Sequence, residues 1–383
     1  MRALLFERKM AKYAAAAVAG RLVPGGGAKV GPLHLADIDE PELPGPGWHR
    51  VRPRLAGICG SDLATLDGRS SRYFEPIVSF PFVPGHEIVG ELDDGRRVVV
   101  EPVLSCATRG IDPPCDMCSA GHTGNCERIA YGHLEPGLQT GFCRDTGGGW
   151  GLSLVAHESQ LHAVPEDLTD EAAVLVEPTA CAVHAVQSSG VREGDVVVVL
   201  GAGSLGLLTI AAVRKLCLPG TLIAVAKHPE QRALARSLGA DIVAEPEEVR
   251  RAVRRSTRSL TNGDVLTGGA DVVIDCVGSS SSIADALAVT RPKGRVSLVG
   301  MAGNTTVDLT VLWHKELVLA GTYAYRHEAF PLAFEVVREA KLQRLLSATY
   351  PLDRYAQAIE HAAQAGRRGA VKIAFDLRTE RRR

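Results

Sequence analysis

Five consecutive apolar residues, Val196–Leu200, run directly into Gly201-Ala202-Gly203-Ser204-Leu205-Gly206. No other stretch of the chain narrows the fold so far. A fully apolar run of this length marks a strand buried on both faces. Glycines at the first, third and sixth positions after it permit a tight turn, a close approach to the backbone and a helix packed hard on the strand. Strand, turn and helix in that order present backbone N–H groups and a helix N-terminus to a pyrophosphate. Glycine is common here, 40 of 383 residues, so the context carries the argument. An ordinary tight turn is the alternative.

The pattern then repeats. Strands are predicted at 222–226, 242–244, 271–275, 295–299 and 317–320, and helices at 204–216, 229–238, 247–259 and 282–290. Such alternation builds a doubly wound parallel sheet. The second strand decides the nucleotide, because a carboxylate about 20 positions past the motif would bond a ribose 2′-hydroxyl. Here Ala226-Lys227-His228 follows instead, with Arg232 one turn further. Cations suit a 2′-phosphate, so NADP is favoured over NAD. The alternative is a solvated Lys227 with NAD held by other contacts.

Before residue 170 the texture is that of antiparallel strands with long loops. Strands are predicted at 2–6, 50–56, 88–92, 96–100, 152–156 and 161–164. Residues 8–33, rich in Ala and Gly, read as a surface excursion, taken as a hairpin. Residues 170–189 carry the spacing of one helix. After Gly321, helices at 329–340 and 353–365 and a strand at 370–376 are expected to return to the first domain.

Cys106-x8-Cys115-x2-Cys118-x7-Cys126 offers four thiolates, enough to close a tetrahedral zinc shell. A redox-active C-x-x-C is the weaker rival, since two flanking cysteines would go unexplained. Cys59-Gly60-Ser61-Asp62, His86-Glu87 and Glu177 supply a thiol, an imidazole and carboxylates on separate segments. Three such ligands hold zinc with its fourth position open. Taken singly, His86 and Glu177 are ordinary structural residues. Lys plus Arg (43) nearly balances Asp plus Glu (44), so nothing draws the chain to nucleic acid or an anionic membrane. A cysteine cluster of this kind fits a reducing compartment, and with no membrane span or signal segment the expected location is the cytoplasm. Arg250, Arg251, Arg254, Arg255 and Arg258 read as a solvated helix face, and Arg381–Arg383 as a frayed tail.

Gly57-Ile58-Cys59-Gly60-Ser61-Asp62, Pro84-Gly85-His86-Glu87-Ile88-Val89-Gly90, the four-cysteine stretch, Val176-Glu177-Pro178, the glycine turn, Asp275-Cys276-Val277-Gly278 and Pro292-Lys293-Gly294-Arg295 occur in this order. Together they resemble the zinc-dependent medium-chain alcohol dehydrogenases, in the branch of polyol (sorbitol-type), threonine and sugar dehydrogenases. The resemblance implies an α/β fold: a Rossmann doubly wound parallel sheet over 179–322 plus a β-rich GroES-like catalytic domain. That domain would comprise 1–178, with a structural-zinc lobe at 103–128, and be completed by 323–383. The family's catalytic zinc implies Cys59 and His86 as ligands, with Glu87 and Glu177 in or near the shell. Asp62 would orient His86, and Ser61 would pass a proton toward the cofactor. Lys372 would lie near the pyrophosphate. Cys276, Val277 and Gly278, with Val299, Gly300 and Met301, would line the cofactor alongside Gly201, Gly203, Ser204, Leu205 and Gly206. The implied reaction moves hydride between the CH–OH carbon of a small alcohol, polyol or sugar and NAD(P), in a homodimer or homotetramer paired near 317–320. An NADPH-driven carbonyl reductase, a zinc-free reductase and a non-catalytic binding protein on the same fold are the rivals.

Three departures stand out. The first cysteine gap holds eight residues, Ala64 replaces a relay histidine found in some relatives, and the loops are long and aromatic. Tyr73, Phe74, Phe80 and Trp150 are candidates for the pocket wall, with core or surface packing as the alternative.

Overall fold

The computed structural model describes residues 1–301 and 303–379. The chain forms two compact units, Met1–Glu177 with Arg326–Arg383, and Pro178–Tyr325. The arginine tail at 381–383, expected to fray, lies outside the described residues.

The second unit holds six parallel strands in the spatial order Ile242–Ala244, Thr221–Val225, Val196–Leu200, Ala270–Asp275, Thr290–Leu298, Val318–Gly321. Numbered along the chain this is 3-2-1-4-5-6, so the direction of winding reverses between the first and fourth strands. Ligands of such sheets bind beyond the strand ends at that reversal. The apolar residues Val197–Leu200 are buried as read. The helix Ser204–Leu216 starts and stops where the glycine turn and its apolar spacing put it. The Arg-rich helix Val249–Thr257 buries Val249 and Val253 and gives its arginines to solvent. A short hairpin, Thr261–Asn262 with Val265–Leu266, and the helix Thr310–His314 were not anticipated.

The first unit is built on a mostly antiparallel sheet. Its main path runs Leu346–Tyr350, Lys372–Asp376, Trp48–Gly57, Ile88–Leu92, Arg97–Val100, Leu161–Ala163, and Leu154–His157 pairs with the start of Trp48–Gly57. The returning strand Lys372–Asp376 lies antiparallel to Leu55–Gly57, placing Lys372 beside the start of the Cys59 segment.

Two elements differ from the sequence reading. The excursion is not a hairpin but two helices, Met10–Leu22 and Gly27–Val30. Its alanine run has the highest helix propensity of any residue type, and the decisive partner is distant. Buried Asp67 accepts from Gly25 N (3.0 Å) and Gly27 N (3.1 Å), fastening the excursion to the end of the helix that follows Cys59. Asp67→Ala strands both N–H groups and is expected to cost about 2 kcal/mol in a urea unfolding measurement. Stability unchanged by this substitution would show that the excursion is not fastened there.

The single helix expected over 170–189 is broken into Asp170–Ala173 and Val176–Ser189. A proline ring clashes with the carbonyl four residues back, so Pro178 is tolerated only in the first turn of a new helix. The break sets Glu177 in that first turn.

Candidate functional site

The Cys59 segment is shaped by its own carboxylate. Cys59 precedes the short helix Gly60–Leu66, and Asp62 Oδ2 accepts from Cys59 N at 2.9 Å. Asp62 Oδ1 faces His86 Nδ1 at 3.4 Å, and both side chains are buried. The other ring nitrogen, Nε2, lies 3.4 Å from Ser61 Oγ. Asp62 thus holds one edge of the imidazole, and the other edge is turned toward Ser61. Burial favours neutral imidazole, yet Asp62 and Cys59 raise the His86 pKa well above the usual value. The Phe142 ring packs against His86 at a centroid distance of 5.9 Å. No sequence signal singled out Phe142, which lies in a loop without periodicity.

Lys372 was expected near a pyrophosphate. It is buried in the first unit, its ammonium paired with Glu87 Oε2 and donating to Ile58 O at 3.2 Å. Burial disfavours the charged amine, but Glu87, Cys59 and Glu177 outweigh it and raise the Lys372 pKa. A buried carboxylate needs such a countercharge, so Glu87 is committed to Lys372 rather than free.

The donor set suits a divalent cation. Asp62, Glu87 and Glu177 are all at most 5% exposed, and Lys372 is the ammonium among them. Three buried carboxyl groups face one lysine ammonium and the His86 ring, which Asp62 and Cys59 hold toward its charged form, with the Cys59 thiol beside them. Thiol, imidazole and carboxylate are the ligands zinc takes. Ala64 offers no proton carrier, but the neighbouring Thr65 hydroxyl bonds Ser61 O (3.0 Å) and Ser70 Oγ (2.9 Å).

Of the loop aromatics, Trp150 is fully buried, donates to Gly57 O at 3.2 Å and packs edge-on against Phe375. It supports the strand leading to Cys59 rather than walling a pocket. Phe80 packs on Phe6 and Phe82. Tyr73 and Phe74 meet each other at the surface.

The four sulfurs of Cys106, Cys115, Cys118 and Cys126 come within 4.8 Å of one another. Their protonation is at odds. Against the effect of burial, N–H groups near Cys118 and Glu127 bring Cys115 down to about 7, while burial pushes Cys126 up to about 11 and Cys118 higher still. Four sulfurs this close can share one cation as thiolates, and zinc with four sulfurs is the closed structural form. The eight-residue gap has its own anchor, unforeseen from the sequence. Arg109, fully buried, donates to the carbonyls of Leu104, Tyr131, Leu134, Glu135 and Gly137. One guanidinium thereby satisfies backbone that the lengthened loop leaves without a ladder.

In the second unit the glycine turn is stereochemically enforced. A Cβ on Gly206 would sit 1.7 Å from Gly201 O, whereas one on Gly203 would meet open space. Ser204 Oγ, at the helix start, is buried without a hydrogen-bond partner. An empty space over Gly203 and an orphaned hydroxyl at a helix N-terminus fit a phosphate group. Asp275 accepts from Val277 N, Gly278 N and Ser282 Oγ, fixing the Cys276–Gly278 turn. That turn packs on Gly300 and Met301. Burial pushes the Cys276 thiol up to about 12. Lys227 is exposed. Arg232 is partly engaged: it donates to Ala226 O and Lys227 O and pairs with Glu245 at 3.1 Å.

Among the described residues no helix is long and apolar enough to cross a membrane.

Two family models match the chain: the alcohol dehydrogenase GroES-like domain over residues 45–166 and the zinc-binding dehydrogenase over residues 204–339. A sorbitol dehydrogenase of Arabidopsis thaliana is 30% identical over 355 residues, covering 88% of this chain and 90% of its own. D-xylulose reductase A of Aspergillus oryzae is 30% identical over 330 residues, covering 83% and 86%. A solved structure described as a zinc-binding dehydrogenase of Sinorhizobium meliloti 1021, bound to NADP, superimposes with a TM-score of 0.72 at 26% identity. It covers 90% of this chain and 96% of that one.

Proposed function

Because the chain belongs to the zinc-dependent medium-chain alcohol dehydrogenases, we propose that it oxidises a CH–OH carbon of a polyol or sugar with NAD(P), and reduces the corresponding carbonyl in reverse. The observation that carries this reading is the cluster of buried His86, Asp62, Glu87 and Glu177 with Lys372, beside the half-buried Cys59. Cys59, His86 and Glu177 would hold the catalytic zinc, since Glu87 is occupied by Lys372. A second zinc would sit among Cys106, Cys115, Cys118 and Cys126. Zinc in an open site supplies Lewis-acid polarisation of the substrate oxygen.

The chain's own residues do the rest. Oxidation of the alcohol would pass the C–H hydride, with its electron pair, to a bound nicotinamide and release the O–H proton. Ser61, exposed and with its hydroxyl beside His86 Nε2, would relay that proton, giving its own hydroxyl proton to solvent as it accepts the substrate's. Asp62 keeps the imidazole in place through Nδ1. Lys372 neutralises Glu87 so that the cluster does not repel an electron-rich oxygen. The substrate names of the sorbitol and xylulose relatives support a polyol or sugar. A panel of polyols, aldoses and secondary alcohols, followed by reduced-nicotinamide absorbance, tests the reading.

NADP is the proposed cofactor. No carboxylate ends the second strand, Lys227 is exposed where a 2′-phosphate would lie, and the Sinorhizobium meliloti relative is bound to NADP. Lys227→Ala is expected to weaken NADPH about tenfold and leave NADH unchanged, as a charge-assisted hydrogen bond is worth about 1.5 kcal/mol. Fluorescence titration with both nucleotides reads this. A wild-type preference for NADH contradicts it. Among the described residues the edge strand Val318–Gly321 is paired on one side only, which supports a homodimer or homotetramer, testable by light scattering.

A further inference from the structure

Outside that cluster, three side chains from separate segments converge in the first unit. Glu101 follows the strand Arg97–Val100, His162 lies in Leu161–Ala163, and His327 precedes the helix Ala329–Glu339. His162 Nε2 and His327 Nδ1 both reach one oxygen, Glu101 Oε2, at 2.9 and 2.8 Å. We propose that Glu101, His162 and His327 form a further metal site, selective for a borderline divalent transition ion such as Zn2+ or Co2+.

Ligand chemistry and rigidity support it. Two imidazoles and one carboxylate are a recurrent set for such ions, which imidazole suits better than it suits Mg2+ or Ca2+. Two of the three donors are fixed. Glu101 is buried, and its backbone is strapped to Gln160 by Glu101 N to Gln160 O (2.7 Å) and Gln160 Nε2 to Glu101 O (2.9 Å). The His162 ring lies flat on Phe330, with centroids 4.0 Å apart and 6° between planes. The third donor is adjustable, since the His327 side chain is 59% exposed. Around an ion at about 2.0–2.1 Å from each ligand, donors stand about 3.3 Å apart. The cluster therefore has to open by about half an ångström, which the exposed His327 can supply. That exposure also leaves water at the remaining coordination positions. His327 is the second residue of the segment returning at Arg326, and its neighbour Arg326 donates to Ala120 O at 2.7 Å. An ion here would tie the start of the return segment to the sheet.

This site contains no sulfur, which separates its test from that of the cysteine-bearing sites. Co2+ is added to the zinc-loaded protein and followed by visible absorption and by metal analysis after desalting. The expected result is one extra equivalent per chain, with d–d bands but no thiolate-to-cobalt charge-transfer band, and the original zinc retained. His327→Gln, at an exposed position, and Glu101→Gln are each expected to weaken uptake by more than about tenfold, since losing even a residue behind a ligand costs roughly 10–100-fold. Uptake of no extra equivalent, uptake showing only the thiolate band, or uptake untouched by His327→Gln would each overturn the proposal. In those cases the carboxylate merely accepts two imidazole hydrogen bonds.

Discussion

A Cys59→Ala enzyme is expected to lose about a thousandfold or more in kcat/KM, a transition-state loss of about 4 kcal/mol. It should also carry one zinc fewer per chain than the wild type. Cys59 is the thiol that acts on His86, where with Asp62 it favours the charged ring. Its removal leaves an imidazole and a carboxylate, too few to hold the ion with one position open. The sulfurs of Cys106, Cys115, Cys118 and Cys126 form a separate group, so their zinc and the fold of that lobe should survive. Circular dichroism and metal analysis on the same sample separate a lost site from a lost fold. A Cys59→Ala protein that keeps wild-type zinc and turnover would remove Cys59 from the machinery.

The second large effect is on stability. Lys372→Met is expected to cost about 3–5 kcal/mol, the penalty for leaving a buried charge without its partner. Both Lys372 and Glu87 are 2% exposed, so water cannot replace the ammonium. Lys372→Met with Glu87→Gln removes both charges and is expected to recover most of the loss, because the uncompensated carboxylate, not the missing contact, causes it. Urea unfolding of the two variants and the wild type closes the cycle. If Lys372→Met unfolds at the wild-type midpoint, Glu87 has another countercharge, and zinc becomes its candidate.

What the sequence revealed divides by distance along the chain. The parallel sheet was legible because an apolar strand, a glycine turn and an amphipathic helix are local patterns; the helix Ser204–Leu216 matches its reading residue for residue. The order of motifs named candidate ligands, and among their neighbours the structure sets His86 beside Asp62 and Ser61. Side-chain partnerships between remote segments were not. Lys372 carries no mark in its own strand that Glu87 is its partner. His327 and Glu101 are separated by 226 positions, and neither belongs to a spaced motif. The alanine-rich excursion failed for a related reason. Its glycines suggested a turn, while the carboxylate that fixes it, Asp67, lies some forty residues on. The buried Arg109 sits inside a loop with no periodicity, where an arginine reads as surface.

The central claim is that a buried zinc held by Cys59, His86 and Glu177 drives alcohol oxidation by NAD(P). Its most direct test follows turnover of the best polyol substrate while a chelator removes zinc stepwise and added Zn2+ restores it, with zinc content measured at each step. Activity should fall in proportion to the first zinc lost from the wild type, return on readdition, and be absent throughout in Cys59→Ala. Full activity after that zinc has gone, or equal activity in Cys59→Ala, would contradict the account.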